Sequence, residues 1–412
     1  MKEGWELKKL DDLFDVQSSK RVHKKDWQSE GVPFYHAREV VKLVKNGFVE
    51  NELYISEELF NKFTKDKGAE KEDDIIISAV GTLGRCYLVK KQDKFYIKDA
   101  SVLWLSKKGE INSRYIEYSF KAPTIQEQVL DRSMGATVGT LTISRAKNIK
   151  IPIPPLPEQE LIVSILDCAF AAIDKAKANA EQNLQNAKEL FESYLQGVFE
   201  NADWETRTIQ EITRVINGYA FKSKDFKPTN SIKSVKITNV GVKEFVAETD
   251  NYLPEAFGET LNKVQVKEGD IVIALTRTII SAGLKVAVVP STYDGALVNQ
   301  RVAALVANEE NVNPSYLYYF LTTKGVADYV LAHVNTLMQP NLSINDLKTL
   351  PVPLPSTDEQ ESIVRHLDAM QCKTQELEAV YQQKLDDLEE LKKSILQKAF
   401  AGELDTETLE TA

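Results

Sequence analysis

The sequence predicts an α+β protein in which two similar mixed α/β domains are separated by two long antiparallel helices, as a pseudo-two-fold tandem repeat. Three observations lead to this fold class. A shift of about 200 residues aligns the two halves of the 412-residue chain. Both halves contain short β-branched runs bounded by Gly, Asp and Pro, which are typical of strands. Both halves then pass through a proline-rich segment into a long stretch of helical composition.

The repeat extends along most of the chain. WELKKLDDL at Trp5 aligns with WETRTIQEI at Trp204, and EDDIIISAV at Glu72 aligns with EGDIVIALT at Glu268. Each half combines a domain of about 150 residues with a helical segment of about 45. We predict domains over 1–155 and 203–355, long helices over 156–202 and 356–404, and a tail over 405–412.

Within the first domain, DDIIIS, RCYLVKK and SVLWLS predict strands, and GDIVIAL, KVAVVP and QRVAALV predict their counterparts in the second. NSRYIEYSFKAPTIQEQVL and NPSYLYYFLTTKGVADYVL predict helices. Asn112 and Asn313 begin these runs as N-cap residues, and Pro314 follows in the second. NPSY also resembles a motif with which amino-methyltransferases grip a flipped base. Its aligned copy is NSRY, so the N-cap interpretation is favoured.

The two long segments carry apolar residues at heptad spacing, which predicts a helix pair. In the first helix the a positions are Leu166, Ile173, Ala180, Ala187 and Tyr194, and the d positions are Ile162, Ala169, Ala176, Asn183 and Leu190. In the second helix the a positions are Leu367, Thr374, Tyr381, Leu388 and Ile395, and the d positions are Ile363, Met370, Leu377, Lys384 and Leu391. Alanines of the first helix align with larger residues of the second, which favours close packing.

A proline-rich segment precedes each long helix: IPIPPLPEQ from Ile151 and LPVPLPSTDEQ from Leu350. Proline cannot enter a helix interior, and it stiffens the chain before the helix begins. Ser356 and Glu359 have the spacing of a capping box. Antiparallel pairing would bring the C-terminal LQKAFAGEL close to the N-terminal GWELKKL, and so imitate the internal junction LQGVFENADWETRTI.

Charge is distributed unevenly along the chain. The net charge of −10 divides into +4 for residues 1–150, −5 for 151–202, −1 for 203–355 and −8 for 356–412. The acidic segments contain the two predicted helices. Because acidic side chains repel phosphate, we expect the helices not to line a nucleic acid closely, and we expect weak DNA binding without basic partners.

The sequence contains no recognisable catalytic motif. It lacks a GxxxxGK[ST] phosphate loop and a Gly-rich loop for a nucleotide or a methyl donor. Its four histidines have no metal-ligand spacing. Scattered cysteines, and the absence of an apolar run of about 18 residues, favour the reducing cytoplasm over a membrane. We therefore expect a chain that binds but catalyses nothing by itself.

Together the repeat, the IPIPPLPEQ-type lead-in and the LQKAFAGEL ending resemble the specificity subunit of type I restriction–modification enzymes. INGYAFKSKDF (Ile216–Phe226), VKITNVG and NLSINDLKTLPVPLP of the second domain fit the same family. The first domain matches more loosely, since VQSSKRVHKKDW lacks the Gly-Tyr-Ala-Phe pattern. The resemblance implies a noncatalytic subunit in which each target-recognition domain reads one half of a bipartite double-stranded DNA site.

The resemblance also implies partners. Two methyltransferase subunits would dock on the helices, which set the spacer between half-sites, and two restriction (motor–nuclease) subunits would join the complex. S-adenosylmethionine, ATP and Mg²⁺ are then expected on those subunits and not on this chain. The alternative is a coiled-coil scaffold whose repeated domains bind protein. A DNA complex that forms only with the methyltransferase present would favour the first hypothesis.

Candidate DNA-binding residues are mainly polar side chains in predicted loops, because such groups reach base edges and phosphates. In the first domain they are Ser18, Ser19, Lys20, Arg21, Lys24, Lys25, His36, Arg38, Thr82 and Arg85. In the second domain they are Tyr219, Lys222, Lys224, Thr276, Arg277, Asn299, Gln300 and Arg301. The cluster KRVHKK is the strongest of these signals. The outer helix faces are expected to present four partner-docking residues: Glu158, Gln159, Glu359 and Gln360.

Overall fold

The structure is a computed structural model that describes residues 2–130, 139–200, 204–247, 252–334 and 340–404. The chain forms two compact units, one from residues 1–181 with 383–412 and one from residues 182–382. Each unit therefore combines one repeated domain with a segment of both long helices. The predicted tail over 405–412 lies outside the described residues.

The first domain alternates short strands and helices. Its strands are β1 (Glu6–Lys9), β2 (Phe14–Gln17), β3 (Val32–Tyr35), β4 (Tyr54–Ile55), β5 (Ile75–Ser78), β6 (Cys86–Leu88), β7 (Tyr96–Ile97), β8 (Val102–Lys107) and β9 (Lys150–Ile153). Its helices are α1 (Leu10–Leu13), α2 (Ala37–Asn46), α3 (Glu57–Lys67), α4 (Ser113–Ser119), α5 (Pro123–Leu130) and α6 (Ile143–Lys147). The long helix α7 (Leu156–Glu200) follows.

The second domain follows the same plan with five α-helices, against six in the first, among the described residues. Its strands are β10 (Thr206–Thr208), β11 (Thr213–Asn217), β12 (Ser234–Val235), β13 (Ile271–Ala274), β14 (Ile279–Ile280), β15 (Gly283–Leu284), β16 (Val286–Val288), β17 (Leu297–Val298), β18 (Val302–Ala307) and β19 (Pro351–Pro353). Its helices are α8 (Ile209–Ile212), α9 (Ala256–Thr260), α10 (Pro314–Leu321), α11 (Lys324–His333) and α12 (Ile344–Lys348). The long helix α13 (Thr357–Ala401) follows.

A four-stranded antiparallel sheet forms the centre of each domain, with order β2-β8-β5-β6 in the first and β11-β18-β13-β16 in the second. The register repeats as well. Ile77 lies opposite Cys86 on one side, and Ile273 lies opposite Val286 at the equivalent place. The six predicted strand runs correspond to β5, β6, β8, β13, β16 and β18, with bounds that differ by up to three residues.

Each domain also contains a short parallel strand pair beside the central sheet. β3 pairs with β7, so that Tyr35 lies opposite Ile97, and β12 pairs with β17, so that Val235 lies opposite Val298. In the first domain β4 adds to the other side of β3. Parallel strands end at the same edge of a sheet, so the residues that follow them become neighbours.

The helix that was predicted after each Asn cap is two helices. The side chains of Asn112 and Asn313 accept hydrogen bonds from first-turn N–H groups, which confirms both N-caps and the structural interpretation of NPSY. The first run breaks where Pro123 begins α5, because proline lacks the N–H that would continue α4. The second run breaks at Thr323, whose hydroxyl caps α11.

The long helices pack against each other in antiparallel fashion within each unit. In the first unit Lys177 pairs with Glu389 at 2.6 Å and Asp174 pairs with Lys392 at 3.0 Å. Residue numbers therefore increase along one helix where they decrease along the other, as in an antiparallel pair. In the second unit Leu195 and Leu367 share a buried cluster. The a-position stripe is confirmed over most of its length, since it is buried or partly buried except at Tyr194.

The d positions of the later heptads were predicted wrongly. Leu190, Leu377 and Leu391 are 48%, 40% and 47% exposed, and at the last a position of the first helix Leu195 is buried instead of the predicted Tyr194. A straight helix has 3.6 residues per turn, so its apolar stripe drifts by about 20° per heptad relative to a strict seven-residue repeat. After several heptads the buried position is therefore the neighbour of the one that the heptad count assigns.

The end of α13 closes the first unit against its N-terminal segment. The ring of Phe400 lies 5.0 Å from that of Tyr115, and Trp5 belongs to the same buried cluster. The second unit repeats this contact internally, with 5.3 Å between the rings of Phe199 and Tyr316. The predicted approach of LQKAFAGEL to GWELKKL is thus confirmed.

Candidate nucleic-acid interface

The ends of the parallel strand pairs bring two side chains together in each domain. His36 follows β3 and Lys98 follows β7. The N–H of Lys98 donates to the carbonyl of Tyr35, the last residue of β3, at 2.8 Å. Lys236 follows β12 and Asn299 follows β17, with the equivalent hydrogen bond at 3.0 Å. We call each of these two sets the strand-end pair of its domain.

The strand-end pair of the first domain combines a cation with a neutral histidine. Burial, and then the positive charge of Lys98, lower the pKa of His36 below its usual value. His36 is therefore mostly neutral at pH 7 and offers one donor and one acceptor. The Trp27 ring meets His36 edge-on at 5.9 Å, and Lys24 Nζ lies 6.0 Å from the Trp27 ring. These contacts join Lys24, Trp27 and His36 into one surface next to Lys98.

Backbone contacts hold the KRVHKK loop beside this surface. The Tyr96 hydroxyl accepts from the N–H of Lys20 at 2.9 Å and donates to its carbonyl at 3.1 Å. The Ser19 hydroxyl donates to a β7 carbonyl at 2.6 Å, and the Ser18 hydroxyl accepts from the loop after β7 at 3.1 Å. The two serines therefore position the loop. Its exposed cations are Arg21, Lys24 and Lys25.

Arg38 already has an anionic partner within the first domain. Its side chain is exposed, and its Nε donates to Glu39 at 2.6 Å. Glu39 also accepts from the N–H of His36 at 3.2 Å and so caps the start of α2. Part of the positive charge at this edge is thus neutralised within the domain.

A groove of about 360 Å³ opens beside the strand-end pair of the second domain. Its lining consists of Ser223, Phe226, Lys236, Ile237, Thr238, Asn299 and Arg301. Lys236 Nζ lies 5.0 Å from the Phe226 ring, which occupies the place of Trp27 in the repeat. An amide, two hydroxyls and two cations around one groove suit the mixed donors and acceptors of base edges.

Tyr219 occupies the loop position that Lys20 has in the first domain. Its N–H donates to a β17 carbonyl at 2.8 Å, and its carbonyl accepts from Gln300 at 2.9 Å. The preceding Gly218 is required here, because a Cβ would lie 2.1 Å from the Asn299 carbonyl oxygen. The Tyr219 ring is 47% exposed and available for stacking. The exposed polar residues of the flanking turns are Lys222, Lys224 and Gln300.

In the first domain, the loop after β5 presents two further candidates. The Ser78 hydroxyl donates to the Thr82 carbonyl at 2.5 Å and accepts from the Arg85 N–H at 3.0 Å. This arrangement closes a tight turn and leaves both candidate side chains exposed. Thr82 and Arg85 are therefore presented by a fixed backbone.

In the second domain, the equivalent loop follows β13. Thr276 is half-buried and forms a bridge to Asn341, whereas Arg277 is exposed with a left-handed φ of +48°. Lys285 Nζ donates to the Ile237 carbonyl at 2.8 Å, beside the groove. Burial, and then the positive charge of Arg277, lower the pKa of Lys285.

The structure adds four residues that sequence reasoning missed: Lys98, Lys236, Thr238 and Lys285. The repeat itself contained the signal for three of them. Lys98 aligns with the candidate Asn299, Lys236 aligns with His36, and Lys285 aligns with Arg85 through the strand registers. Transferring each candidate from one domain to the other would have found them.

The predicted partner-docking face is wrong for both glutamines. Gln159 is 2% exposed and Gln360 is fully buried. Gln159 Oε1 accepts from the Asn112 N–H at 2.9 Å, and Gln360 Oε1 accepts from the Asn313 N–H at 2.8 Å. Each glutamine ties the first turn of a long helix to the N-cap of a domain helix. The burial of this satisfied amide could not be read from its polarity.

The two glutamates beside them have different surroundings. Glu158 is half-buried and accepts from Lys2 at 2.7 Å and from the Trp5 indole at 3.1 Å. Glu359 is exposed and accepts from both the N–H and the hydroxyl of Ser356, which supplies the glutamate half of the predicted capping box. Of the four docking candidates, Glu359 is the one whose position agrees best with an outer face.

Two general properties of the described chain bear on function. Among its described residues, no group of three His, Cys, Asp or Glu side chains is placed to hold a metal ion. In the same residues, no helix is both long and apolar enough to cross a membrane. The two polar surfaces around the strand-end pairs are the candidate nucleic-acid interface.

The sequence of each unit matches one known domain family. The type I restriction modification DNA specificity domain matches residues 2–184 and again residues 201–389. The chain belongs to this family. It is therefore a DNA-recognition subunit of a type I restriction–modification system and a noncatalytic component of its complex. The predicted fold class, family and role are confirmed.

Individual relatives agree along the whole chain. The type I restriction enzyme MjaVIII specificity subunit of Methanocaldococcus jannaschii is 26% identical over 432 aligned positions, covering 99% of this chain and 94% of that protein. A chain from a solved structure on complex assembly and conformational transition of the type I R-M system shares the fold, with a TM-score of 0.75, 17% identity and coverage of 98% and 99%. The HsdS subunit of Thermoanaerobacter tengcongensis has a TM-score of 0.63, 18% identity and 98% coverage of both chains.

Proposed function

We propose that each target-recognition domain reads one half of a bipartite double-stranded DNA site with the surface around its strand-end pair. One observation carries this proposal. The two domains hold side chains of different chemistry at the same two backbone positions, His36 with Lys98 and Lys236 with Asn299. Equivalent positions supply two readers, and different side chains supply two different half-sites.

The chemistry of each pair predicts the bases it prefers. The Asn299 amide can donate to and accept from one adenine, while Arg301 and Lys236 are donors suited to guanine. In the first domain Lys98 is a donor alone, and neutral His36 can donate or accept. The exposed loop cations would contact phosphates and set the register without reading sequence.

We propose that the two long helices set the spacer and dock the methyltransferase subunits. Each helix has 45 residues, which corresponds to a length of about 68 Å. Their exposed apolar residues support docking where they lie three or four positions apart on one helix, as Leu190 with Tyr194 and Leu377 with Val380, because such neighbours form an apolar patch. These residues are Leu190, Tyr194, Leu377, Val380 and Leu391.

The remaining partners follow from the same assignment. Two methyltransferase subunits would carry S-adenosylmethionine, and two restriction subunits would carry ATP and Mg²⁺. The three free cysteines, of which Cys168 and Cys372 are exposed, support a reducing cytoplasm as the compartment. Basic partner subunits would supply much of the nonspecific DNA affinity that this acidic chain lacks.

Methylome sequencing of cells that express this chain with its cognate methyltransferase subunit tests the proposal. We expect a new adenine-methylated motif with two short defined halves and a fixed undefined gap. A stable complex without a new motif would contradict the proposal and favour the protein-binding scaffold. Methyl transfer by this chain alone would contradict its noncatalytic role.

Helix insertion tests the spacer separately. Adding four residues to each long helix, about one turn, should change the gap and leave both half-sites recognisable. The first insertion would follow Glu181 and the second Gln382, where both helices are exposed. The same sequencing measures the result. Altered half-site bases with an unchanged gap would refute the spacer role.

A further inference from the structure

A cleft of about 460 Å³ runs along the outer edge of β6 in the first unit. β6 is the last strand of its four-stranded sheet, with β5 on its inner side. Glu117 of α4 and Lys121, which follows that helix, form one wall of the cleft, and Leu43 and Val44 of α2 form the other. We call this space the edge cleft.

Strand alternation directs backbone groups into the edge cleft. The Arg85 carbonyl accepts from Ser78, and the Val89 N–H donates to Asp74, so the odd-numbered residues of this strand bond inward. The N–H and C=O groups of the intervening even-numbered residues, Cys86 and Leu88, therefore point outward. Within the described residues β6 pairs with β5 alone. Such an edge can accept another strand.

The second domain shows how the same edge is covered. There Val242 bridges Val286 in parallel fashion, at the position of Cys86. The hydroxyl of Tyr318, which aligns with Glu117, donates to the Lys243 carbonyl at 2.9 Å. The segment 241–243 thus lies between the β16 edge and α10. The counterparts of these two elements in the first domain, β6 and α4, border the edge cleft.

The difference begins directly after the parallel strand pair. In the second domain the chain leaves β12, makes one 3-10 turn at Ile237–Asn239 and then runs along the β16 edge. In the first domain the chain leaves β3 and forms the ten-residue helix α2. Helix α2 packs on a face of the sheet through Val40 and Leu43. The residues that could have covered the β6 edge are therefore used elsewhere.

We propose that the edge cleft receives an extended segment of the methyltransferase subunit, which adds to β6 as a parallel strand. This inference rests on the proposed function, which supplies that subunit. The cleft adjoins the proposed docking helix, since Arg114 of its α4 wall pairs with Asp167 of α7 at 2.9 Å.

The second domain also indicates the chemistry of the segment. Val242 predicts a β-branched apolar residue opposite Cys86. The carbonyl that follows would meet Lys121, whose ammonium lies 2.8 Å from Glu117 and replaces the Tyr318 hydroxyl as donor. Main-chain hydrogen bonds would supply the affinity. The apolar wall of α2 lies on the Tyr87 face of the sheet and would contact the residues that flank this one in the segment.

Hydrogen–deuterium exchange of the full chain, alone and assembled with its methyltransferase subunit, tests this inference. We expect assembly to slow exchange at Cys86 and Leu88 at least about tenfold, as for newly bonded edge amides, while Val286 and Val288 stay unchanged. Lys121→Trp should fill the cleft, remove this protection and weaken assembly about tenfold, equivalent to one or two lost hydrogen bonds. Lys147→Trp is the matched control, because Lys147 also pairs with one acid, Asp11, but lies outside the cleft.

Each contrary result identifies what fails. A complex that assembles and methylates DNA without protecting Cys86 and Leu88 overturns the edge-cleft inference and leaves the proposed function intact. Protection of these amides by DNA alone also overturns it, because the occupant would then be nucleic acid. Failure to assemble with the methyltransferase subunit overturns the proposed function and this inference together.

Discussion

The two target-recognition domains share a framework and differ where they meet their ligands. Their central sheets have the same strand order and the same registers, built from buried residues such as Ile77 and Ile273. Their strand-end pairs differ, and so does the chain that follows the first parallel strand. Interior packing therefore fixes where the reading positions lie, and it leaves the side chains at those positions free to vary.

The joints between domain and helix show the same contrast. Tyr118 of the first domain donates to Asp167 of α7 within a charged group that includes Arg114. At the equivalent joint Tyr319 donates to Asp368 of α13 at 2.6 Å and packs beside Phe191. The tyrosine–aspartate hydrogen bond is common to both units. An arginine ion pair accompanies it in the first unit, and an aromatic contact accompanies it in the second.

Replacing one whole domain is the strongest way to break the comparison. Residues 204–350 exchanged for the corresponding domain of another family member should change one half-site completely and leave the other half and the gap unchanged. The reason is that each sheet and its strand-end pair belong to a single unit. Methylome sequencing measures both halves at once. An unchanged motif, or a change in both halves, would refute independent reading.

Truncating the aromatic ring at each helix end sharpens the comparison of stability. Phe400→Ala should destabilise the first unit by about 3–5 kcal/mol, because this 5%-exposed ring packs on Tyr115. Phe199→Ala should cost the second unit less, because Phe199 is only half-buried. Hydrogen exchange of β8 and β18 amides reports the two units separately. An equal or larger loss for Phe199→Ala would contradict this ranking.

The framework was predictable because local and tertiary signals agree in it. Buried strands such as IIIS at Ile75 and IVIA at Ile271 are continuous β-branched runs, and Asn112 and Asn313 cap helices by local hydrogen bonds alone. Such features depend on a few neighbouring residues. They persist whatever surface the domain carries.

The candidate interface was less predictable because it depends on contacts between distant parts of the chain. Lys98 becomes important only because β7 pairs in parallel with β3, about 60 residues earlier. The burial of Gln159 requires a partner N–H on Asn112, the N-cap of α4, 47 residues earlier. Neither relation has a period or a spacing in the sequence. The repeat could have transferred candidates between the domains. The candidates to transfer, His36 and Asn299, had to come first from the predicted loops.

Single substitutions in the strand-end pairs test the comparison at the level of one base. Asn299→Ala should relax one position of the second half-site by about 1–3 kcal/mol, or roughly fivefold to 150-fold, because a bidentate amide contact is lost. Lys98→Ala should relax the first half-site alone. Lys263→Ala is the control, since this exposed lysine lies outside the groove. Methylated-motif frequencies measure the effect. A uniform loss of methylation would instead assign Asn299 to phosphate contact.

The smallest expected effect is a dependence of DNA affinity on pH. It would come from His36, because the strand-end pair of the second domain contains no histidine. In the free chain burial and Lys98 lower the pKa of His36, and nearby phosphate would raise that pKa in the complex. Binding then takes up a proton. Affinity should therefore rise as pH falls through the pKa of the complex, and it should level off below the pKa of the free chain. A difference of one unit corresponds to about tenfold.

The histidine contribution is isolated by comparing the wild type with His36→Gln. Burial raises the pKa of Glu70 in the same domain to about 7, so the wild-type curve alone would not identify the titrating group. Titration of the assembled complex with a DNA duplex between pH 5.5 and 7.5, at fixed salt, should give a steeper pH dependence for the wild type than for His36→Gln. Parallel curves for the two proteins would show that His36 keeps its protonation state on binding, and would remove it from the phosphate-facing surface.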